Sequence, residues 1–177
     1  MTYTRITLLV VIVLLFRMIA ISQDNTAKYI DKHKVLAINL MQEYSIPASV
    51  ILGVAVVESG AGTSALSRKF HNHFGITGKN FNALTKLGRR SHYKEYNSDS
   101  ASYRHFCDVI VRKPFYSVLR SNPDPIQWVK ALRKAGYATA AVTWEKRVNT
   151  AIMKLNLIEI DLLVDPLNET ARLEQAR

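Results

Sequence analysis

The chain has 177 residues, a hydrophobic content of 48% and a formal net charge of +10 at pH 7. This length is enough for one globular domain with a core, and no internal repeat or low-complexity stretch indicates a solenoid or a linker. The positive charge favours an anionic partner such as nucleic acid, a phospholipid surface or an acidic cell-wall polymer. The basic residues are scattered and the densest run, KLGRR, is short, so we expect no nucleic-acid partner.

An apolar run, ITLLVVIVLLF (residues 6–16), follows Arg5 near the amino terminus. The run has the length of a signal-peptide core and is shorter than the roughly 20 residues that span a bilayer. Small residues at Ala20 and Ser22 predict cleavage after Ser22. The alternative is an uncleaved membrane anchor in which the apolar run continues past Arg17. Both alternatives predict export of the remaining chain to the periplasm or the cell surface.

Two helices are predicted at the start of the exported part. Apolar residues follow helical spacing over residues 26–44, with Thr26 as the predicted cap. Pro47 suits the first turn of a second helix that extends to about Glu58, where a pair of glycines is expected to end it. The second helix is apolar on every side, which predicts a position in the middle of the domain.

A change of pattern separates these helices from the rest of the domain. A short helix is predicted over residues 64–70, with Thr63 or Ser64 as its cap. From residue 72 to about residue 96, glycines punctuate short alternating segments, which indicates extended loops or a small hairpin. Helical patterns return in three segments, residues 100–112, 126–136 and 143–158.

The predicted architecture is therefore mainly α, a helical domain over residues 26–160 with one small β or irregular lobe. Residues 1–22 form the signal peptide or anchor, and residues 161–177 form a polar tail. The only cysteine, Cys107, lies in an apolar helical pattern. No disulfide can form within the chain, and the pattern predicts a buried structural thiol rather than a nucleophile.

Glu58 is a carboxylate at the end of an apolar helix. The negative end of the helix dipole disfavours the ionised form by a few tenths to about 1 kcal/mol, and apolar neighbours add a desolvation cost. Both effects raise the pKa of the carboxyl group. A glutamic acid that stays protonated near neutral pH suits a general acid that protonates a leaving glycosidic oxygen. The alternative is a Glu58 side chain that simply faces solvent at the helix end.

Three ordered blocks of the sequence share their motifs and spacing with a known family. The first reads IPASVILGVAVVESGAGTSALSRKFHNHFGITG, and the later two read YNSDSASYRHF and WVKALRKAGYAT. Together they resemble the flagellar-type N-acetylglucosaminidases, glycoside hydrolase family 73, over roughly residues 27–157. The first block carries the family's proline-started apolar helix, its Glu-Ser-Gly end and its Asn-x-Phe-Gly-Ile turn. The last block matches the family's closing Gly-Tyr-Ala-Thr signature.

The resemblance implies a lysozyme-like fold and a peptidoglycan hydrolase that needs no cofactor. By this resemblance the enzyme is an endo-beta-N-acetylglucosaminidase that cleaves the glycan strand after N-acetylglucosamine. Glu58 falls on the catalytic acid, and Tyr137 falls on a tyrosine that lines the cleft and positions substrate or water. The positive charge of the chain would then help to retain the enzyme on an anionic cell-wall polymer.

Four further residues are candidates for substrate binding or for shaping the cleft. Ser64, Asn72 and Phe74 fall on positions of the family's first block. Trp144 stands where the family commonly continues with Asp-Pro and a tyrosine, and it is predicted to replace that aromatic contact. A core position for Trp144 is the alternative.

The second carboxylate is less well defined by the sequence. The family often carries one in its lobe, and Glu95 is the only carboxylate between Glu58 and Tyr96. In one register Glu95 is this second carboxylate, and in the other it falls on an ordinary variable position. Asp99 and Asp108 are weaker substitutes. Without a second carboxylate, the 2-acetamido oxygen of the substrate can assist departure of the leaving group, as in the substrate-assisted glycosidases.

Other functions use the same features. A lytic transglycosylase or a muramidase also works with a single glutamate at a helix end. A degenerate member of the family would bind glycan or serve envelope assembly without catalysis. We expect no metal site, because His71 and His73 lie two residues apart in a turn that offers no third ligand.

Overall fold

The structure of the chain is a computed structural model that describes residues 24–163. The apolar run at residues 6–16, the predicted signal peptide or anchor, and most of the predicted tail lie outside this range. Within it, no helix is both long and apolar enough to cross a membrane. The helices, in chain order, are α1 (24–44), α2 (Ala48–Ser59), α3 (Ala65–Phe70), α4 (Ala83–Leu87), α5 (Asp99–Val111), α6 (Tyr116–Leu119), α7 (Pro125–Lys134), α8 (Ala141–Lys154) and α9 (Ile158–Asp161).

Helix α2 is the central helix of the described residues. All its residues from Ala48 to Ala55 are buried, which confirms the prediction made from its apolar pattern. Helices α7, α8 and α9 pack around it. The backbone N–H and the hydroxyl of Ser49 donate to the Asp161 carboxylate over 2.7 and 2.6 Å, so a side chain of α9 caps the start of α2. At the other end, Gly60 adopts the left-handed conformation with φ +59° and ends the helix.

Gly53 sets how closely α8 approaches α2. A Cβ atom at this position would lie 2.6 Å from Cγ1 of Ile152 and 3.6 Å from Cγ1 of Val148. Ile152 is fully buried, so its side chain has little room to withdraw. The glycine therefore fixes the packing that brings the start of α8 to the end of α2.

We expect Gly53→Val to lower the free energy of unfolding by about 3 kcal/mol, the upper end of the usual cost of overpacking. Denaturant unfolding measures the effect, and an Ile152→Ala background provides the control. Because Ile152 is the group that the new side chain meets, the same substitution should cost less in that background. An equal cost in both backgrounds would mean that this contact does not limit the packing.

The lobe between α3 and α5 is only partly extended. Thr77 and Tyr93 form an isolated antiparallel bridge, and the flanking hydrogen bonds run from Gly78 N to His92 O and from Lys94 N to Ile76 O, at 2.8 and 2.9 Å. The expected loops or small hairpin are therefore present. The short helix α4 lies between the two paired segments and was not predicted.

The helices differ from the sequence prediction in three ways. Thr26 lies inside α1 rather than at its cap. The predicted helix over residues 143–158 is two helices, because Asn156 adopts a left-handed φ of +52° between α8 and α9, a conformation that asparagine tolerates better than most residues. Helix α6 was not predicted. Cys107 is buried in α5, as expected.

Candidate functional site

The Glu58 carboxylate lies between the end of α2, the start of α8 and the lobe. Its Oε1 accepts a hydrogen bond from Nε1 of Trp144 at 2.6 Å. On the other side, a Cβ atom at Gly75 would lie only 3.2 Å from Oε2, and Gly75 has a left-handed φ of +63°. The glycine therefore lets the lobe backbone approach the carboxylate closely. Glu58 is half-buried and held from two sides rather than extended into open solvent.

The surroundings of Glu58 favour its protonated form. Burial raises the pKa of Glu58 above its ordinary value, while the Trp144 hydrogen bond and the positive charge of Arg147 lower it and offset only part of the increase. No basic residue lies in the last turn of α2 to counter the negative end of the helix dipole. A raised pKa is what the apolar helix predicted, and a carboxyl group of this kind can donate a proton.

Tyr137 belongs to the same group of side chains. Its hydroxyl donates to the backbone carbonyl of Phe74 at 3.0 Å, and its ring centroid lies 5.2 Å from that of Trp144. Burial and the negative charge of Glu58 raise the pKa of Tyr137 well above its usual value, so the phenol stays neutral. Tyr137 therefore supports the Phe74–Gly75 turn and the Trp144 ring, and its oxygen can still accept a hydrogen bond.

The other predicted binding residues have mainly structural contacts. Asn72 is 1% exposed, and its Nδ2 donates to the carbonyls of Ile76 and Lys94, each at 2.8 Å. Phe74 is 2% exposed and stacks on Phe106 with a centroid distance of 4.2 Å. The side chains of Asn72 and Phe74 are buried and shape the turn that carries Gly75, and their contact with substrate stays a prediction. The Ser64 hydroxyl accepts a hydrogen bond from the N–H of the residue three positions on and caps α3.

Glu95 is tied to the lobe by several donors. Its carboxylate accepts hydrogen bonds from Asn82 at 3.0 Å, from Lys86 at 2.5 Å and from the Phe81 N–H at 3.4 Å. The hydrogen bond from Lys86 is the main reason that the pKa of Glu95 is lowered. These contacts hold α4 against the end of the lobe. Asp108, one of the weaker substitutes, accepts a hydrogen bond from the Tyr44 hydroxyl.

Sequence reasoning missed three contributors to the Glu58 environment. Trp144 was considered as a sugar-binding plate or a core residue, and neither expectation included its hydrogen bond to the carboxylate. Arg147 lies three residues after Trp144, which places both on the same face of α8. This spacing was the only sequence signal that the Arg147 charge acts on Glu58. Tyr93 is an exposed aromatic residue whose Cε1 lies 3.9 Å from the position of a Cβ at Gly75.

A second polar cluster lines a pocket of about 610 Å³ whose lining residues do not include Glu58. It contains His33, His71, His73 and Asp99. Burial lowers the pKa of His33 to about 4 and also lowers the pKa of His73, so both imidazoles are neutral at pH 7. Burial by itself would raise the pKa of Asp99, but hydrogen bonds from Lys32 and His71 and the nearby His73 outweigh it and lower this pKa well below the usual range.

The chain matches the Glucosaminidase family, described as mannosyl-glycoprotein endo-beta-N-acetylglucosaminidase, over residues 34–157. Among curated protein sequences, none matches the chain.

Three solved structures are similar to the chain. The catalytic domain of the autolysin Auto from Listeria monocytogenes is 22% identical, over 77% of this chain and 87% of its own, with a TM-score of 0.61. The glycoside hydrolase domain of FlgJ from Salmonella typhimurium is 18% identical, over 85% and 98%, with a TM-score of 0.57. A chain of a type VI secretion system effector–immunity complex from Pseudomonas protegens is 20% identical, over 73% and 92%, with a TM-score of 0.56. The likeness confirms the mainly α, lysozyme-like fold.

Proposed function

The chain belongs to the Glucosaminidase family, a family of glycoside hydrolases, and we propose that Glu58 is the general acid with which it cleaves peptidoglycan glycan strands at N-acetylglucosamine. The observation that carries this proposal is the half-buried Glu58 carboxyl group, whose pKa is raised and which Trp144 holds at 2.6 Å. A general acid must be protonated before it reacts and must keep a fixed position. The raised pKa favours the protonated form of Glu58, and the Trp144 hydrogen bond fixes its position.

In the proposed reaction, Glu58 gives its proton to the glycosidic oxygen as the bond from that oxygen to the anomeric carbon breaks. The electron pair of the bond leaves with the oxygen, which becomes the hydroxyl of the departing sugar. Water finally adds to the anomeric carbon and returns a proton to Glu58, so the products are two shorter glycan chains.

The positive charge at the anomeric carbon needs a partner during this reaction. We favour the 2-acetamido oxygen of the substrate, which forms a cyclic intermediate that water then opens. The carboxylate of Glu95 is occupied by Asn82, Lys86 and the Phe81 N–H, which supports a role in the lobe rather than in the reaction.

The proposed site of action is outside the cytoplasm. Peptidoglycan lies there, and the apolar run at residues 6–16, followed by small residues at Ala20 and Ser22, suits a cleaved signal peptide. The net charge of +10 would favour retention on an anionic wall polymer. An autolysin domain and a FlgJ glycoside hydrolase domain of similar fold support action on the bacterial envelope.

The identity of the new reducing end tests the proposal. Purified peptidoglycan is digested with the protein, the ends are reduced with borohydride, and the terminal sugar alcohol is identified by mass spectrometry. We expect N-acetylglucosaminitol. N-acetylmuramitol would instead mean a muramidase, and 1,6-anhydromuramic ends would mean a lytic transglycosylase. Sedimentation of the protein with the wall without any new ends would mean a binding module.

We expect Trp144→Phe to move the alkaline limb of the activity profile to higher pH. The Trp144 hydrogen bond stabilises the ionised form of Glu58 and so lowers its pKa, and its removal leaves burial to raise that pKa further. Glu58 therefore stays protonated up to a higher pH in the variant. The pH at which activity falls on the alkaline side is obtained from initial rates measured across pH at low substrate concentration.

Two variants on α8 serve as comparisons for Trp144→Phe. Arg147→Gln removes the other group that lowers the Glu58 pKa, and we expect a shift in the same direction that weakens at high salt. Lys146→Gln removes a neighbouring exposed charge that has no such effect, so its limb should stay in place. A shift of the Trp144→Phe limb to lower pH would contradict the assigned role of the hydrogen bond.

A further inference from the structure

The pocket of about 610 Å³ contains three potential metal ligands from three separate parts of the chain. His33 comes from α1, His73 from the turn after α3, and Asp99 from the first position of α5. One ligand atom from each of these residues lies within 4.8 Å of the other two. Local spacing could not predict this group, because its members are far apart in the sequence.

Both histidines turn a buried Nε2 nitrogen toward Asp99. His33 is 2% exposed and His73 is 4% exposed. Nε2 of His73 lies 3.0 Å from Asp99 Oδ1 and can donate to it when protonated, whereas Nε2 of His33 lies 3.8 Å from Asp99 Oδ2, beyond hydrogen-bond distance. Among residues 24–163, Nε2 of His33 therefore has no hydrogen-bond partner in either tautomer. A buried polar atom without a hydrogen bond destabilises the folded state, and a metal ion bound to that atom would remove the cost.

The contacts of His73 also suit a metal ligand. Its Nδ1 lies 2.8 Å from the Tyr29 hydroxyl, which in turn lies 2.8 Å from the Tyr103 hydroxyl. When Nδ1 carries the proton and donates to Tyr29, and Tyr29 donates to Tyr103, Nε2 keeps its lone pair. Metal-binding histidines are commonly oriented by a hydrogen bond of this kind from the second ring nitrogen.

We propose that His33, His73 and Asp99 bind a Zn²⁺ ion, with water from the pocket as the fourth ligand. Two imidazoles and one carboxylate with one open position form a set that zinc accepts. Tetrahedral zinc places such atoms about 3.3 Å apart, so the widest pair would have to approach by at most about 1.5 Å. The ion would join α1 to the start of α5 and to the turn that leads to Phe74. This site is independent of the proposed hydrolase activity.

Lys32 is the group that zinc must displace. Its Nζ lies 2.8 Å from Asp99 Oδ2, while His71 Nδ1 lies 2.7 Å from Oδ1. The Lys32 side chain is 67% exposed, so its ammonium can leave Asp99 for water, and the charge of the metal ion would replace it beside the carboxylate. Lys32 therefore competes with the metal for Asp99 without blocking the site.

The test uses the full chain after treatment with a chelator, with Zn²⁺ in calorimetry and Co²⁺ in visible spectroscopy as the probes. We expect one ion per chain, absorption bands of a tetrahedral Co²⁺ site, and a higher melting temperature with Zn²⁺. His33→Gln should weaken Zn²⁺ binding by about tenfold or more. The control is His92→Gln, which removes an exposed histidine outside the cluster and should bind like the wild type.

A second variant keeps the proposal testable if His33→Gln does not fold. Lys32→Ala alters an exposed side chain and removes the competitor for Asp99, so it should bind Zn²⁺ more tightly than the wild type. A purely structural histidine cluster predicts no such gain. Lack of Zn²⁺ uptake by the wild type, equal binding by His33→Gln and His92→Gln, or no gain in Lys32→Ala would each overturn the proposed site.

Discussion

Replacing Glu58 with glutamine is expected to lower the rate of glycan cleavage by about 10²–10⁴-fold, the usual contribution of a general acid. The amide has nearly the same shape and can keep a contact with Trp144, but it has no acidic proton for the leaving oxygen. The fold should therefore persist while the reaction slows. Release of reducing ends from purified peptidoglycan measures the rate, and circular dichroism with thermal unfolding checks the fold.

The same substitution at Glu95 is the comparison for Glu58→Gln. Because the Glu95 carboxylate binds Lys86 and Asn82 within the lobe, Glu95→Gln should keep most of the activity and lose some lobe stability. Wild-type rates in Glu58→Gln would remove Glu58 from the mechanism. Equally severe losses in both variants would make Glu95 the second carboxylate and contradict assistance by the substrate acetamido group.

Alanine at Gly75 is expected to lower the rate by up to about 100-fold, with a loss of about 1–2 kcal/mol in the free energy of unfolding. The stability cost arises because an L side chain is strained at a φ of +63°. The larger effect on the rate arises because the new methyl group would lie 3.2 Å from Glu58 Oε2 and displace the carboxyl group. Misplacement of a catalytic group by about 1 Å is enough for a loss of this size.

Gly88 provides the matched control for Gly75. It has a similar φ of +69°, lies in the same lobe, and a Cβ there would meet no atom of residues 24–163 within 4 Å. Gly88→Ala should therefore show a similar loss of stability and near wild-type rates in the same assays. If the two alanine variants lost activity equally, strain in the lobe rather than contact with Glu58 would be the cause.

The sequence predicted the features of this protein that local patterns determine. The apolar residues on every side of α2 predicted its central position. Ser64 is one of the two predicted caps of α3, and the glycines predicted the irregular lobe. The same argument from helix end and apolar neighbours predicted the raised pKa of Glu58. These properties depend on residues within a few positions of each other, so periodicity and turn chemistry are sufficient to find them.

Contacts between distant segments could not be predicted in this way. The indole of Trp144 reaches Glu58 from 86 positions along the chain. The sequence indicated Asp99 only as a weaker substitute for the second carboxylate, whereas Asp99 meets His71, His73 and Lys32 in one pocket. The buried positions of Asn72 and Phe74 depend on how the lobe folds against α5. Each of these placements follows from packing between elements, for which a single sequence carries no direct signal.

The carboxylate of Asp161 limits how far this domain can be truncated at its carboxyl end. The family match stops at residue 157, but the N–H and hydroxyl of Ser49 are satisfied by an acid four residues beyond that limit. A fragment trimmed to the family boundary would leave the first turn of α2 without its acceptor. The helix that ends in Glu58 is thus anchored by residues that a sequence-defined boundary discards.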